Sequence, residues 1–170
     1  MMKNLKTQLT IIAVIVNSFI GFSQESKTNP LKKADAVTFS KVNTAKDSID
    51  AVLNKYYKLN LKVFQSGSTI KDIDNIFNLF TDDFTYVHPK YGGVYTRENL
   101  YNGYKRNQEQ GSYNGKIVDI KITSIMIGLN AIAVTKQFIK KEGGEIVEGK
   151  EQMAVFEFKD SKIIKIKEYW

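Results

Sequence analysis

The 170-residue chain has no cysteine, one histidine, one tryptophan and two prolines. Without cysteine there can be no disulfide, no thiol nucleophile and no thiolate metal site. The residue that carries the lipid of a bacterial lipoprotein is missing for the same reason. A lone histidine with no second ligand at a recognisable spacing does not make a metal site, so none is expected. Phosphate-binding loops are missing too. Gly92-Gly93 has no following lysine and no strand–loop–helix setting, so it reads as a tight turn, and no cofactor is expected. There are no internal repeats and no low-complexity tracts. A basic stripe is also lacking, although the formal charge is +7. Lys136, Lys140, Lys141, Lys150, Lys162, Lys165 and Lys167 are scattered rather than interleaved with stacking residues. They read as a solvated, mildly basic surface, and nucleic acid is not expected as a partner.

What is present begins with residues 1–6, short and basic, followed by 7–24 without a charge. The apolar run at 9–16, with small Gly21 and Ser23 at the −3 and −1 positions of a cut before Gln24, predicts a signal peptide over 1–23. A retained anchor is the alternative. The run is shorter than the ~20 residues a span needs, and Asn17 and Ser18 interrupt it. The chain is therefore expected to be exported, periplasmic or secreted, with no stable membrane anchor after cleavage. Lys3 and Lys6 would leave with the leader, taking two charges from +7 and leaving about +5. Residues 24–45 are polar, contain Pro30 and show no sustained periodicity, which predicts a flexible spacer.

One domain is expected over 46–170. Ile49, Val52, Leu53, Tyr56, Val63 and Phe64 recur at spacings of three and four, predicting a helix of about five turns. Thr44 and Asp47 can cap its start and Gly67 stops it. A second helix from Ser68 or Thr69 would bury Ile70, Ile73, Ile76, Phe77 and Phe80. Thr96 opens a third, with Leu100, Tyr101 and Tyr104 on one face. Alternating segments at 116–127, 131–141, 146–158 and 163–170, joined by short turns, predict an antiparallel meander. The layout is α+β.

Between the second and third helices lies Phe-Thr-Asp-Asp-Phe-Thr-Tyr-Val-His-Pro at 80–89, then Gly-Gly-Val-Tyr-Thr-Arg-Glu-Asn-Leu at 92–100. A helix runs out at two acids, and a strand carries the histidine to its end, where Pro89 fixes the backbone. With the strands that follow, residues 45–170 resemble the NTF2-like superfamily, in particular its SnoaL-like and ketosteroid-isomerase-like branches. The resemblance implies a cone: three N-terminal helical segments packed on a strongly curved antiparallel sheet, with a ligand pocket at the wide end. The isomerase-like relatives carry a catalytic aspartate immediately before the proline, which puts His88 at that position. They use a first-helix tyrosine as an oxyanion donor, here Tyr56 or Tyr57. Their second, acidic oxyanion donor has no counterpart, which argues against steroid isomerisation itself. NTF2-like domains often pair through the outer sheet face, so a homodimer is expected, with Ile163 and Tyr169 beside Lys165 and Lys167 as outer candidates.

The residues themselves add further candidates. Histidine suits a general base because its ordinary pKa, about 6.5, lies near working pH. On the last strand Ile164, Ile166, Glu168 and Trp170 share the more apolar face. A carboxylate there is either desolvated, and suited to act as an acid or a base, or carried into solvent where the strand end frays. The catalytic candidates are thus His88 and Glu168. Tyr56, Tyr57, Phe84, Tyr86, Tyr104, Gln137, Gln152 and Trp170 are the ligand-binding candidates. Asp82-Asp83 reads as a structural junction, since adjacent side chains point apart. The expected function is binding of a small, mostly apolar molecule, with cofactor-free proton transfer such as isomerisation, dehydration or cyclisation. A non-catalytic dimerisation or protein-interaction module is the alternative.

Overall fold

The computed structural model describes residues 35–170. The expected leader at 1–23 and the first part of the expected spacer, 24–34, lie outside the described residues. The first helix, α1 (Asp35–Val63), begins inside the segment read as spacer. No glycine or proline stands between Pro30 and Gly67 to stop a helix earlier. Thr44 and Asp47, read as a cap, are therefore helix interior. Ile49, Leu53, Tyr56 and Val63 are buried, as their spacing predicts. Gly67, at φ +83°, turns the chain away in a conformation that side chains rarely adopt.

Helix α2 (Ile70–Phe77) starts at Thr69, whose N–H and hydroxyl both donate to Asp72 Oδ2 at 2.9 Å. The other Asp72 oxygen pairs with Lys62 at 2.6 Å, tying α2 to α1. Phe80, expected on this helix, instead opens β1 (Phe80–His88), and Asp82 and Asp83 lie exposed along that strand. A 3₁₀ turn at Pro89–Tyr91 leads to the short β2 (Gly93–Thr96), where the sequence suggested only a turn. Helix α3 (Arg97–Glu109) is capped by Thr96, whose Oγ1 accepts from the Asn99 N–H at 3.2 Å. Tyr101 donates to Asp74 at 2.8 Å and Arg97 to the Phe77 carbonyl at 3.1 Å, which docks α3 on α2.

The remaining strands are β3 (Ile117–Ile127), β4 (Ala131–Glu142), β5 (Glu145–Glu148), β6 (Gln152–Lys159) and β7 (Lys162–Glu168). The segment expected as one strand over 146–158 is broken at 149–151. The Gly149 N–H donates to the Phe138 carbonyl, and a Cβ there would meet that oxygen at 2.9 Å. The sheet runs β2-β1-β7-β6-β4-β3, with β5 added beside β4. All pairs are antiparallel except β1–β7, which is parallel. Three helices on a curved seven-stranded sheet make the α+β cone.

Two details set which side chains face inward. The register of β7 against β6 slips beside Glu157, so Phe158 pairs with Ile163 and Phe156 with Ile166. Ile163, Ile166 and Glu168 are consequently all buried. Ile163, expected on the outer face, is thereby a core residue. On β4, Ile132, Val134 and Lys136 share the inner face. Between the layers, Phe80 stacks on Phe84 with centroids 3.9 Å apart and meets Phe77 at 5.1 Å, while Tyr56 meets Phe156 edge-on at 5.3 Å. No helix among the described residues is long and apolar enough to cross a membrane.

Candidate functional site

The wide end of the cone holds two adjoining cavities. The inner one, of about 160 Å³, lies among Tyr56, Tyr57 and Asn60 of α1, Lys136 and Phe138 of β4, and Glu168 of β7. The outer one, of about 290 Å³, is lined by His88 and by residues of the turn after β1, of β2 and of α3, including Tyr91, Tyr95, Arg106 and Asn107. Tyr86, Leu100, Tyr104 and Trp170 border both. Glu168 and His88 thus face neighbouring chambers divided by a common aromatic wall.

In the inner chamber Lys136 and Glu168 form a buried ion pair. The ammonium donates to Oε2 at 3.0 Å and to Oε1 at 3.3 Å, and the two residues are 4% and 6% exposed. The Trp170 indole N–H donates to Oε2 at 2.6 Å. Both carboxylate oxygens are therefore engaged, which leaves Glu168 an electrostatic and orienting role rather than that of a free base. Lys136, read from sequence as part of the solvated surface, is interior. It stands on the inward face of β4, and its partner is 32 residues away. Its alternation with Ile132 and Val134 was the signal for it.

Four phenols surround the pair. Burial is the first cause that pushes Tyr56, Tyr57, Tyr86 and Tyr104 above the ordinary tyrosine pKa, and the negative charge of Glu168 adds to it in each. All four are neutral hydroxyls, able to donate. Asn60, one turn beyond Tyr56 on the same helix face, also lines the inner chamber and was not among the expected site residues.

His88 is 2% exposed, and neither ring nitrogen has a partner among the described residues. Its ring meets Trp170 edge-on at 4.6 Å and Tyr91 at 4.4 Å. Burial lowers its pKa below the ordinary value, outweighing the upward pull of Glu168, and Lys90 and Lys136 lower it further. The imidazole is neutral at neutral pH, with one nitrogen free to accept a proton. Lys90 lies outside, 5.5 Å from the Tyr91 ring and 5.9 Å from that of Trp170.

The other expected residues divide. Tyr56, Tyr57, Tyr86, Tyr104 and Trp170 line the chambers. Phe84 does not, because its ring is committed to the stack on Phe80. Gln137 occupies the opposite face of β4 from Lys136 and donates to the Gly149 carbonyl at 3.2 Å. Gln152 sits cross-strand from Lys136 on β6, with a buried and unpartnered Oε1, but borders neither cavity.

No family model matches the chain, and no curated protein resembles it in sequence. Solved structures do share its architecture. Bal32a, from a soil-derived mobile gene cassette, matches at a TM-score of 0.52 and 17% identity over 74% of this chain and 90% of that one. An NTF2-like protein from Anabaena variabilis matches at 0.50 and 16%, covering 72% of this chain and 89% of that one. An NTF-2 like protein of unknown function from Burkholderia xenovorans matches at 0.50 and 18%, over 72% and 82%. At such identities the fold is what is shared, and it is the NTF2-like fold.

Proposed function

We propose that this NTF2-like chain is an exported ligand-binding domain that takes a small, mostly apolar molecule into its paired chambers and carries out cofactor-free proton transfer there with His88. The observation that carries the reading is His88 itself. A buried neutral imidazole with both nitrogens unmet is costly to maintain, since buried polar atoms are nearly always satisfied. It is the expected state of a base or hydrogen-bonding group kept for a ligand. In such a reaction His88 takes a proton from a carbon next to a carbonyl. The charge that develops on the oxygen is met by neutral tyrosine hydroxyls, and return of the proton to another carbon completes an isomerisation. Neither cavity alone reaches the ~300–1,000 Å³ of a typical small-molecule site, so a ligand of that size has to span both across the wall they share.

One observation favours binding without catalysis. Glu168 is tied by Lys136 and Trp170, so proton transfer would rest on one residue. Native mass spectrometry of the protein purified from cells is expected to find a bound small molecule. Leu100→Trp, which fills space bordering both chambers, is expected to lose it. An unliganded wild type, together with a His88→Gln variant destabilised like a core substitution, would make His88 a packing residue and defeat the proposal.

The basic start and uncharged run up to Gln24 support export. N-terminal sequencing of protein recovered from the envelope or medium should begin at or near Gln24. A chain that retains Met1 and needs detergent for extraction would count against it.

A further inference from the structure

The inner chamber contains two polar atoms that the protein does not answer. The Tyr57 hydroxyl and Asn60 Oδ1 are both buried without a hydrogen-bond partner among the described residues. Each residue is 6% exposed, and each lines the cavity of about 160 Å³. They stand three apart on α1, which makes them neighbours on one helix face. A protonated phenol can donate and an amide oxygen only accepts, so one ligand carrying both an acceptor and a donor can answer the two. An unmet polar atom in a buried chamber is costly, and here two such atoms belong to residues that line the same cavity.

The charge around them narrows the chemistry. Lys136 is already balanced by Glu168 at 3.0 Å, so the chamber offers no free cation to an anionic ligand. Burial first, and then Glu168, holds the four surrounding phenols neutral, so they offer hydroxyl donors but no net positive charge to a permanently anionic head group. The volume resembles the ~150 Å³ of an apolar cavity known to take benzene, and the walls are mostly flat rings.

Building on the small-ligand reading above, we propose that the inner chamber binds a neutral, planar carboxamide-type head group, a primary amide or a lactam. Its carbonyl accepts from the Tyr57 hydroxyl and its N–H donates to Asn60 Oδ1. The apolar remainder of the ligand passes Tyr86 and Trp170 into the outer chamber.

The test compares benzamide, benzoate and toluene, which are similar in size and differ in head group, by NMR titration of the full-length chain. Benzamide is expected to bind about tenfold or more tightly than either of the others, the usual scale for filling two unmet buried partners. Tyr57→Phe and Asn60→Leu should each cut the preference for benzamide over toluene several-fold. Equal binding of benzamide and toluene would overturn the inference and leave the small-ligand reading standing, as would benzoate binding tightest. If none of the three perturbs the resonances of the chamber residues, both fall. Should Tyr57→Phe fail to fold, the wild-type selectivity and Asn60→Leu still decide the matter.

Discussion

A lysine and a glutamate, each almost without access to water, govern the residue scale. Removing one partner of such a pair leaves an uncompensated buried charge, whereas removing both leaves an apolar site. Lys136→Met is therefore expected to destabilise the protein by about 3–5 kcal/mol in urea unfolding, and Lys136→Met/Glu168→Leu to regain most of the loss. A double variant as weak as the single would show that the pair is not the unit that matters. His88 makes a second prediction. Burial leaves its folded pKa below the value of about 6.5 that it has in the unfolded chain. Below that pH the unfolded state binds more protons, so stability should decline as the pH falls from about 6.5 to the folded value and then level off. Urea midpoints measured from pH 7.5 to 5 should show this decline, and His88→Gln should abolish it. No other histidine in the chain can supply it. His88 and Glu168 were legible in the sequence because Pro89 marks a strand end and alternation marks a face. Lys136 stood on an equally legible inward face, but a lysine read by type alone goes to the surface. Phe84 shows the converse: alternation turns it inward, yet only the stack on Phe80 decides that inward means core and not cavity.

At the scale of elements, the helices are welded to the sheet by aromatic rings, with Phe80 in contact with Phe77, Phe84 and Tyr56. Phe80→Ala should cost about 3–5 kcal/mol by chemical denaturation, the usual effect of deleting a fully buried ring. A loss below about 1 kcal/mol would place that ring outside the layer contact. The helical stripe of α1, the start of α2 near Ser68 or Thr69 and most strands of the meander were readable because periodicity acts over a few residues. The parallel union of β1 with β7 was not, because Tyr86 meets Ile166 across 80 residues and nothing local announces it. The slip of register beside Glu157 was hidden for a related reason. Extra residues in one strand appear only when the partner is known, and this one reversed the assignment of Ile163. The early start of α1 shows the limit of composition: a polar segment without a breaker can still be helix.

For the whole molecule, the outer sheet face carries Val94, Val87, Lys167, Val155, Ala133 and Met126 in successive strands, aligned by register into one row. Val94 and Met126, at its ends, are 67% and 75% exposed. An apolar row with a lysine in it suits a moderate, wet interface. Light scattering is expected to show a homodimer that Met126→Lys weakens, and a wild type that stays monomeric at high concentration would refute it. Trp170 has a consequence at this scale as well. It is the only tryptophan beside nine tyrosines, and it stands in the wall common to both chambers with its N–H on Glu168. The intrinsic fluorescence of the entire chain, including energy passed on from the tyrosines, therefore issues from a single indole at the mouth of the site. The protein has its own optical reporter, one whose emission is expected to shift when either chamber fills.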